Sequence, residues 1–265
     1  MNNINCIIFS RDRSCQLELL LRSMKLYFKE FSESIINILY TYSDDSFKVG
    51  YDKLFTIHND SNIRYIKETE DFKNHVLLLL NPDNLYTIFF VDDIIWKEPF
   101  SLNCDDFKIF ENNENILTYS LRLHPNLTYC YTANVIMNPT KSKLFTWHNL
   151  PGDYGYPMSL DGHFFRTEDI MNLLINLSYN NPNQLEGKMA MKPLHKPLML
   201  CSDKSIIFNN PCNKVQTNNP NRYGNISAEY LNGEFLKDYI IDLEPFKHLN
   251  NESCHKEISI TLIKK

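Results

Sequence analysis

The sequence predicts an α/β fold with a mostly parallel central sheet flanked by helices, and three observations support this. Strand and helix patterns alternate through residues 4–92. Continuous apolar runs such as Cys6–Phe9 and Ile88–Val91 read as strands covered on both faces, as parallel strands are. Polar clusters follow these runs: Arg11-Asp12-Arg13, Ser43-Asp44-Asp45 and Asp92-Asp93. Open α/β sheets gather ligands beyond the carboxyl ends of their strands, so three such clusters predict one site on one sheet edge.

The elements follow in order. INCIIFS (4–10), bounded by Arg-Asp-Arg, is a buried strand. Residues 15–29 place Leu17, Leu20, Leu21, Met24, Tyr27 and Phe28 at helical spacing, with Ser14 as the expected N-cap. Residues 34–43 and 63–68 are the next strands, 71–81 a helix closed by Asn81-Pro82, and 85–92 a fourth strand. Beyond residue 100 the pattern loosens. A helix is expected over 107–115, a strand over 116–124, and irregular wall structure rich in aromatics, Pro and Gly over 124–163. Thr167 is expected to cap a helix over 167–179, a short helix follows at 185–191, and 198–209 reads as a hairpin or a broken strand. The Asn/Pro-rich stretch 209–225 is long enough for a functional loop, and 227–240 is a closing helix. No linker divides the chain, so 1–265 reads as a single domain.

Composition narrows the function. A net charge of −5 argues against a nucleic-acid coat, leaving small molecules or another protein as partners. Seven scattered glycines form neither a dinucleotide fingerprint, nor a P-loop, nor the glycine-rich first loop of a sugar-nucleotide pyrophosphorylase. Seven cysteines, an odd number with no C-x-x-C pair, argue against a zinc site and a disulfide framework and for a reducing compartment. No signal-peptide pattern opens the sequence, and the longest apolar run, Val76–Leu80, is too short to span a bilayer. A cytoplasmic protein without a transmembrane segment is the expectation.

The unusual feature is "FFVDDII" (89–95), where Asp92 and Asp93 interrupt an apolar run. Buried charge is costly, and neighbouring carboxylates repel unless a cation neutralises them. Mg²⁺ and Mn²⁺ take oxygen ligands and often accept only one or two carboxylates, completing their shell with phosphate oxygens. The pair therefore reads as a metal site shared with a diphosphate, or alternatively as a turn that faces water.

Ser10-Arg-Asp-Arg13, the helix opening with "QLELLLRSM", the "YTYSDD" strand end and "FFVDDI" together resemble the nucleotide-sugar half of GT-A glycosyltransferases, particularly the broad family 2 group. The resemblance covers roughly residues 4–190. It implies a GT-A fold, a nucleotide-sugar donor, Mn²⁺ or Mg²⁺, and transfer to a hydroxyl of a glycan or other acceptor. Residues 1–100 would be the nucleotide-binding half and 101–265 the sugar- and acceptor-binding half. By position, Asp93 would touch the metal, and Asp92 the ribose or the metal and its waters. Ser10, Arg11, Asp12 and Arg13 would line the nucleotide pocket, and Asp44 would follow the second strand. The sequence departs from the family where the acids are adjacent rather than flanking a middle residue. It departs again where Tyr40, Thr41 and Tyr42 fill the end of the second strand.

An inverting transferase needs a carboxylate to take the acceptor proton. Glu186, after an Asn-Pro turn at the expected start of a short helix, is assigned as base, and Asp161 beside Gly162-His163 as a binder of sugar hydroxyls, with the exchanged roles as the alternative. Asn213, Lys214, Gln216 and Arg222 suit diphosphate contacts. His124, His148 and His163 are weaker candidates for a metal or phosphate contact, and Trp147, Tyr154 and Tyr156 read as core before sugar platforms. The rival functions are a nucleotidyltransferase acting on sugar phosphates and a non-catalytic nucleotide-sugar-binding module.

Overall fold

The computed structural model describes residues 4–215 and 222–265. In chain order it begins β1 (Ile4–Arg11), α1 (Ser14–Tyr27), β2 (Ile35–Thr41), α2 (Asp45–Ile57), β3 (Ile63–Lys67), α3 (Phe72–Leu79), β4 (Tyr86–Val91) and β5 (Ile94–Trp96). Then come α4 (Asp105–Asn112), β6 (Ile116–Ser120), β7 (Tyr129–Cys130), β8 (Val135–Ile136), β9 (Leu144–Thr146), β10 (His163–Arg166), α5 (Thr167–Ile175) and α6 (Pro182–Met191). The chain closes with β11 (Leu198–Cys201), β12 (Ile207–Asn209), α7 (Ala228–Leu236), β13 (Tyr239–Ile241) and β14 (Leu262–Lys264).

β1 is apolar on both faces because both are covered. Ile4, Cys6 and Ile8 join a core with α1, α2 and α7, while Ile7 and Phe9 join a second core with α3, α5 and α6. Leu17, Leu20 and Leu21 bring α1 onto the sheet, and each such fully buried leucine contributes on the order of 1.5–3 kcal/mol. The main sheet has the order β3-β2-β1-β4-β10-β6-β11-β9. β3, β2, β1 and β4 run parallel; β10 is antiparallel to β4 and β6, β11 is parallel to β6, and β9 is antiparallel to β11. The α/β class and the mostly parallel sheet are therefore as expected. One edge collects the carboxyl ends of β1, β2, β4 and β6 together with the amino end of β10.

Several local expectations are corrected. Arg13, not Ser14, is the N-cap residue of α1, and the Ser14 hydroxyl instead donates to Asn232 Oδ1 at 2.9 Å. Thr167 is the first residue of α5 rather than its cap, and its hydroxyl bonds Thr87. α2 was not expected: Gly50 in its middle weakens the helical signal, yet a Cβ there would stand 2.0 Å from Asn232 Oδ1 on α7. β10 was not expected, since the irregular stretch ends at residue 163 and no element is predicted over 164–166; it is inserted into the sheet. β6 ends at Ser120, short of His124. The stretch 198–209 is not a hairpin, since β11 belongs to the main sheet and β12 pairs with β5. α6 begins at Pro182 because Asn181 Oδ1 accepts the Gln184 N–H, so Glu186 lies inside the helix rather than at its start. α7 is capped by Ser227 and ends at Leu236, before the chain turns into β13. Among the described residues no helix is long and apolar enough to cross a membrane.

Candidate active site

β4 ends at Val91, and the chain turns through Asp92-Asp93 into β5, which leaves the main sheet to pair with β12. The turn does not face bulk water. Asp92 is 4% exposed; its Oδ2 accepts the Arg11 N–H at 3.1 Å and its Oδ1 accepts Arg13 Nη1 at 2.9 Å. Asp93 Oδ1 accepts Asn209 Nδ2 at 2.9 Å, and its Oδ2 lies 3.6 Å from Arg13 Nη1. The cation that lets the two carboxylates coexist in this structure is thus the Arg13 guanidinium. It is aimed by Asn213, whose Oδ1 accepts Arg13 Nε at 2.7 Å and whose carbonyl accepts Nη2 at 2.6 Å. Burial by itself would favour neutral Arg13, but Asp92 and Asp93 outweigh it and hold the side chain charged. Burial pushes the Asp93 carboxyl above its ordinary range; Arg13 opposes this, and the charges of Asp92 and Asp161 add to it.

The facing wall comes from the β6 and β10 side of the sheet. Gly162 donates its N–H to Phe89 O at 2.8 Å and accepts the Leu121 N–H at 3.0 Å, which pins the 159–162 turn beside the end of β6. Gly162 sits at φ +70°, and a Cβ there would stand 2.0 Å from Ile207 Cδ1. Arg122, 2% exposed, donates Nη1 to Asp161 Oδ2 at 2.9 Å and places Nη2 3.2 Å from Asp153 Oδ1. Asp161 Oδ2 also lies 3.6 Å from His255 Nε2. Glu186 reaches the same turn from α6: its Oε1 accepts Ser159 Oγ at 2.9 Å and the Leu160 N–H at 3.0 Å. Burial, reinforced by the Asp161 charge, raises the Glu186 carboxyl to about 7.

The two walls enclose a cleft of about 470 Å³ lined by Arg13, Asp93, Arg122, Asp161, Glu186 and His255, among others. A second cleft of about 460 Å³ adjoins it past the ends of β1 and β2, with Arg11, Asp12, Ser43, Phe47 and Tyr223 in its lining. Asn213 and Lys214 line both.

The expected site residues are therefore divided. Asp93, Arg13, Asp161, Glu186 and Asn213 meet at the first cleft, and Arg11 and Asp12 lie at the second. Asp92 sits behind this surface with both carboxylate oxygens engaged inside the protein, which leaves Asp93 as the member of the pair facing the first cleft. Ser10 is buried below it, 2.7 Å from the Tyr51 hydroxyl, and lines neither cleft. Asp44 lines neither and instead caps α2, accepting the Ser46 N–H at 2.8 Å. Asp12 adopts φ +55°, and its Oδ1 accepts the Ser43 N–H, tying the ends of β1 and β2 together. Gln216 lies outside the described residues. His124 bonds Asn251 O, His148 stacks on Trp147, and His163 is buried with its imidazole lowered to about 3, so none of the three enters the cleft. Tyr156 lines the cleft, whereas Trp147 and Tyr154 belong to the core.

Arg122, Asn209 and His255 were not singled out from the sequence. Arg122 was hidden inside a strand read through to His124. The segment around His255 carries no periodicity, and only the tertiary fold returns it to the site.

Asp93 is the residue at the first cleft that could hold a hard divalent cation through carboxylate oxygen. It presents a carboxylate to the cleft, with Arg13 beside it and the charges of Asp92 and Asp161 close by. Among the described residues no three His, Cys, Asp or Glu side chains form a ready ligand group. An ion held by Asp93 would therefore take most of its shell from ligand oxygens and water.

No protein-family model matches the chain. It is 28% identical over 301 aligned residues, 96% of its own length, to the bifunctional glycosyltransferase pgtA of Dictyostelium discoideum, and spans 38% of that protein. Among solved structures, it is similar in part to a cytidylyltransferase from Leptospira borgpetersenii serovar Hardjo-bovis, with a TM-score of 0.41, 10% identity and coverage of 72% of this chain and 71% of that one. For 4-diphosphocytidyl-2C-methyl-D-erythritol synthase from Anaerococcus prevotii the values are 0.40, 12%, 76% and 86%. For the bifunctional glycosyltransferase WbbM they are 0.35, 11%, 71% and 37%. Over nearly its whole length, then, the chain is similar to one portion of a bifunctional glycosyltransferase, the class of enzyme that its Ser10–Arg13 and Asp92-Asp93 motifs resemble.

Proposed function

We propose that the chain is a glycosyltransferase that moves a sugar from a nucleotide-diphosphate donor to a hydroxyl of a glycan or other acceptor, with inversion and with Mn²⁺ or Mg²⁺ on the donor diphosphate. One observation carries this reading: the Arg13–Asp93 cluster and Glu186 face each other across a single cleft at the carboxyl edge of the sheet. The nucleotide would occupy the adjoining cleft beside Arg11 and Asp12, which places its diphosphate near Asn213, Lys214 and Asp93. Asp93 would hold the divalent cation, which would supply charge compensation for the departing diphosphate. Lys214 and Arg222 bring further positive charge to the same cleft.

Glu186 is the base in this reading. Its Oε1 is fixed by Ser159 and the Leu160 amide, while Oε2, which accepts no hydrogen bond among the described residues, is the atom that would take the acceptor proton. A carboxyl near 7 is matched to that task, since it ionises close to neutral pH and still holds a proton well. Asp161 is held by Arg122 near the same turn, in reach of the sugar's hydroxyls rather than the transferred proton. The relative's name and the motif resemblance support the enzyme class, and the facing carboxylate supports inversion.

The test is incubation with UDP-, GDP- and dTDP-sugars and Mn²⁺. Slow release of nucleoside diphosphate, abolished by Glu186→Gln or Asp93→Ala, is expected. Consumption of nucleoside triphosphate with sugar phosphate would instead make the chain a nucleotidyltransferase, and donor binding without any turnover would make it a binding module.

A further inference from the structure

A buried arginine between two carboxylates needs a reason, because replacing such a group with apolar side chains often costs no stability. Arg122 is 2% exposed and its Nε has no partner among the described residues, so the side chain is not placed to satisfy itself. Its Nη1 instead donates to Asp161 at 2.9 Å, and its Nη2 lies 3.2 Å from Asp153. From Asp161 the connection to Glu186 is short. The Asp161 N–H donates to Ser159 Oγ at 3.2 Å, and Ser159 Oγ donates to Glu186 Oε1 at 2.9 Å.

We propose that Arg122 is a positioning residue for Glu186: by neutralising Asp161 and fixing the 159–161 turn, it sets how readily Glu186 gives up its proton. The proposal rests on the reading of Glu186 as the base. Asp161 and Arg122 are the charged groups that act most strongly on the carboxyl, and Arg13, Lys214 and Arg222 line the same cleft. Asp161 approaches on the 159–162 turn, and Arg122 from the end of β6, backed by Asp153. Tyr156 lines the same cleft, His255 faces Asp161 from the C-terminal segment, and Asp93 stands on the opposite wall. Arg122 is the group that compensates Asp161 directly through a charged hydrogen bond. Without Arg122, its own charge on Glu186 and its compensation of Asp161 are both lost, the Ser159 and Leu160 hydrogen bonds alone oppose Asp161, and the base would hold its proton more tightly.

The experiment is a carboxyl ¹³C NMR titration of the full chain labelled at glutamate Cδ, with Glu186→Gln identifying the resonance. Arg122→Gln is expected to move the Glu186 midpoint up by about one pH unit or more, the usual effect of losing a charge partner at this range. Arg122→Lys, which keeps the charge, should restore most of the shift. Asp161→Asn should move the midpoint down, and the Arg122→Gln/Asp161→Asn double variant should return it near the starting value. If Arg122→Gln does not fold, Asp161→Asn and the double variant decide. An unmoved midpoint, or movement in one direction for both single variants, overturns the proposal. Turnover by Glu186→Gln reads the base assignment separately: normal turnover ends that reading, while the titration still reports whether Arg122 governs the carboxyl.

Discussion

Arg13 Nη1 donates to Asp92 Oδ1 at 2.9 Å, joining the end of β1 to the end of β4 across 79 residues of sequence. The same nitrogen lies 3.6 Å from Asp93, so one guanidinium answers for two neighbouring carboxylates. Arg13→Ala is expected to destabilise the protein by about 3–5 kcal/mol, because it strands a buried carboxylate rather than removing a neutral contact. Arg13→Lys should recover only part of that, since an ammonium keeps the charge but lacks the planar fork that also reaches Asn213. Urea unfolding checks both, and a loss under about 1 kcal/mol for Arg13→Ala would contradict the pairing.

Asp93→Ala should behave differently. Asp93 gives up one bond to Asn209, while the pairing of β5 with β12 is made by backbone and stays. The expected outcome is an unchanged circular dichroism spectrum with loss of Mn²⁺-dependent UDP binding in calorimetry. Unchanged affinity would remove Asp93 from the metal role.

Glu186→Gln is expected to spare donor binding and cut transfer by about 10²–10⁴-fold, the usual contribution of a positioned base. In the parent protein, the rate should rise as pH rises through about 7, where Glu186 ionises. Steady-state kinetics against pH check both, and an acidic limb that persists in Glu186→Gln would assign the base elsewhere.

The same carboxyl makes a stability prediction of definite sign. Its folded value, about 7, lies above the ordinary 4.5, so the folded state binds the proton more tightly. Stability from this group is present at low pH and is lost as pH rises from about 4.5 through 7. Glu186→Gln should therefore gain on the parent protein over that window, by on the order of 1–3 kcal/mol. Thermal unfolding of the two proteins at pH 5 and pH 8 measures the difference; equal differences at both would show an unshifted carboxyl.

Gly162→Ala is expected to cost about 1–3 kcal/mol, because φ +70° disfavours a side chain and the new Cβ meets Ile207. Since Gly162 anchors the turn that presents Ser159, Leu160 and Asp161, turnover should fall as well. Unfolding curves and a single-turnover assay on the same sample check the pair of effects.

The strands β1 to β4, the helices α1 and α3, and the gathering of acids at strand ends were legible because they rest on local chemistry. Unbroken apolar runs have few ways to be buried, and a turn after a parallel strand must lie on the ligand edge. α2 escaped notice because Gly50, placed for close approach to Asn232, weakens a helical pattern. β10 escaped because its few residues lie between stretches with no period of their own, and pairing to β4 and β6 makes it a strand.

By itself, the sequence determined the alternation of strand and helix, the two-sided burial of the parallel strands, and the candidate pair Asp93 and Glu186. Tertiary structure alone decided which cation answers the paired aspartates, that Ser10 and Asp44 serve the framework, and that Arg122 and His255 belong to the cleft. The physical reason is range. Periodicity reports whether a side chain is buried within its own element, whereas the partner of a buried charge is chosen by distance in space, and here those partners lie far away along the chain.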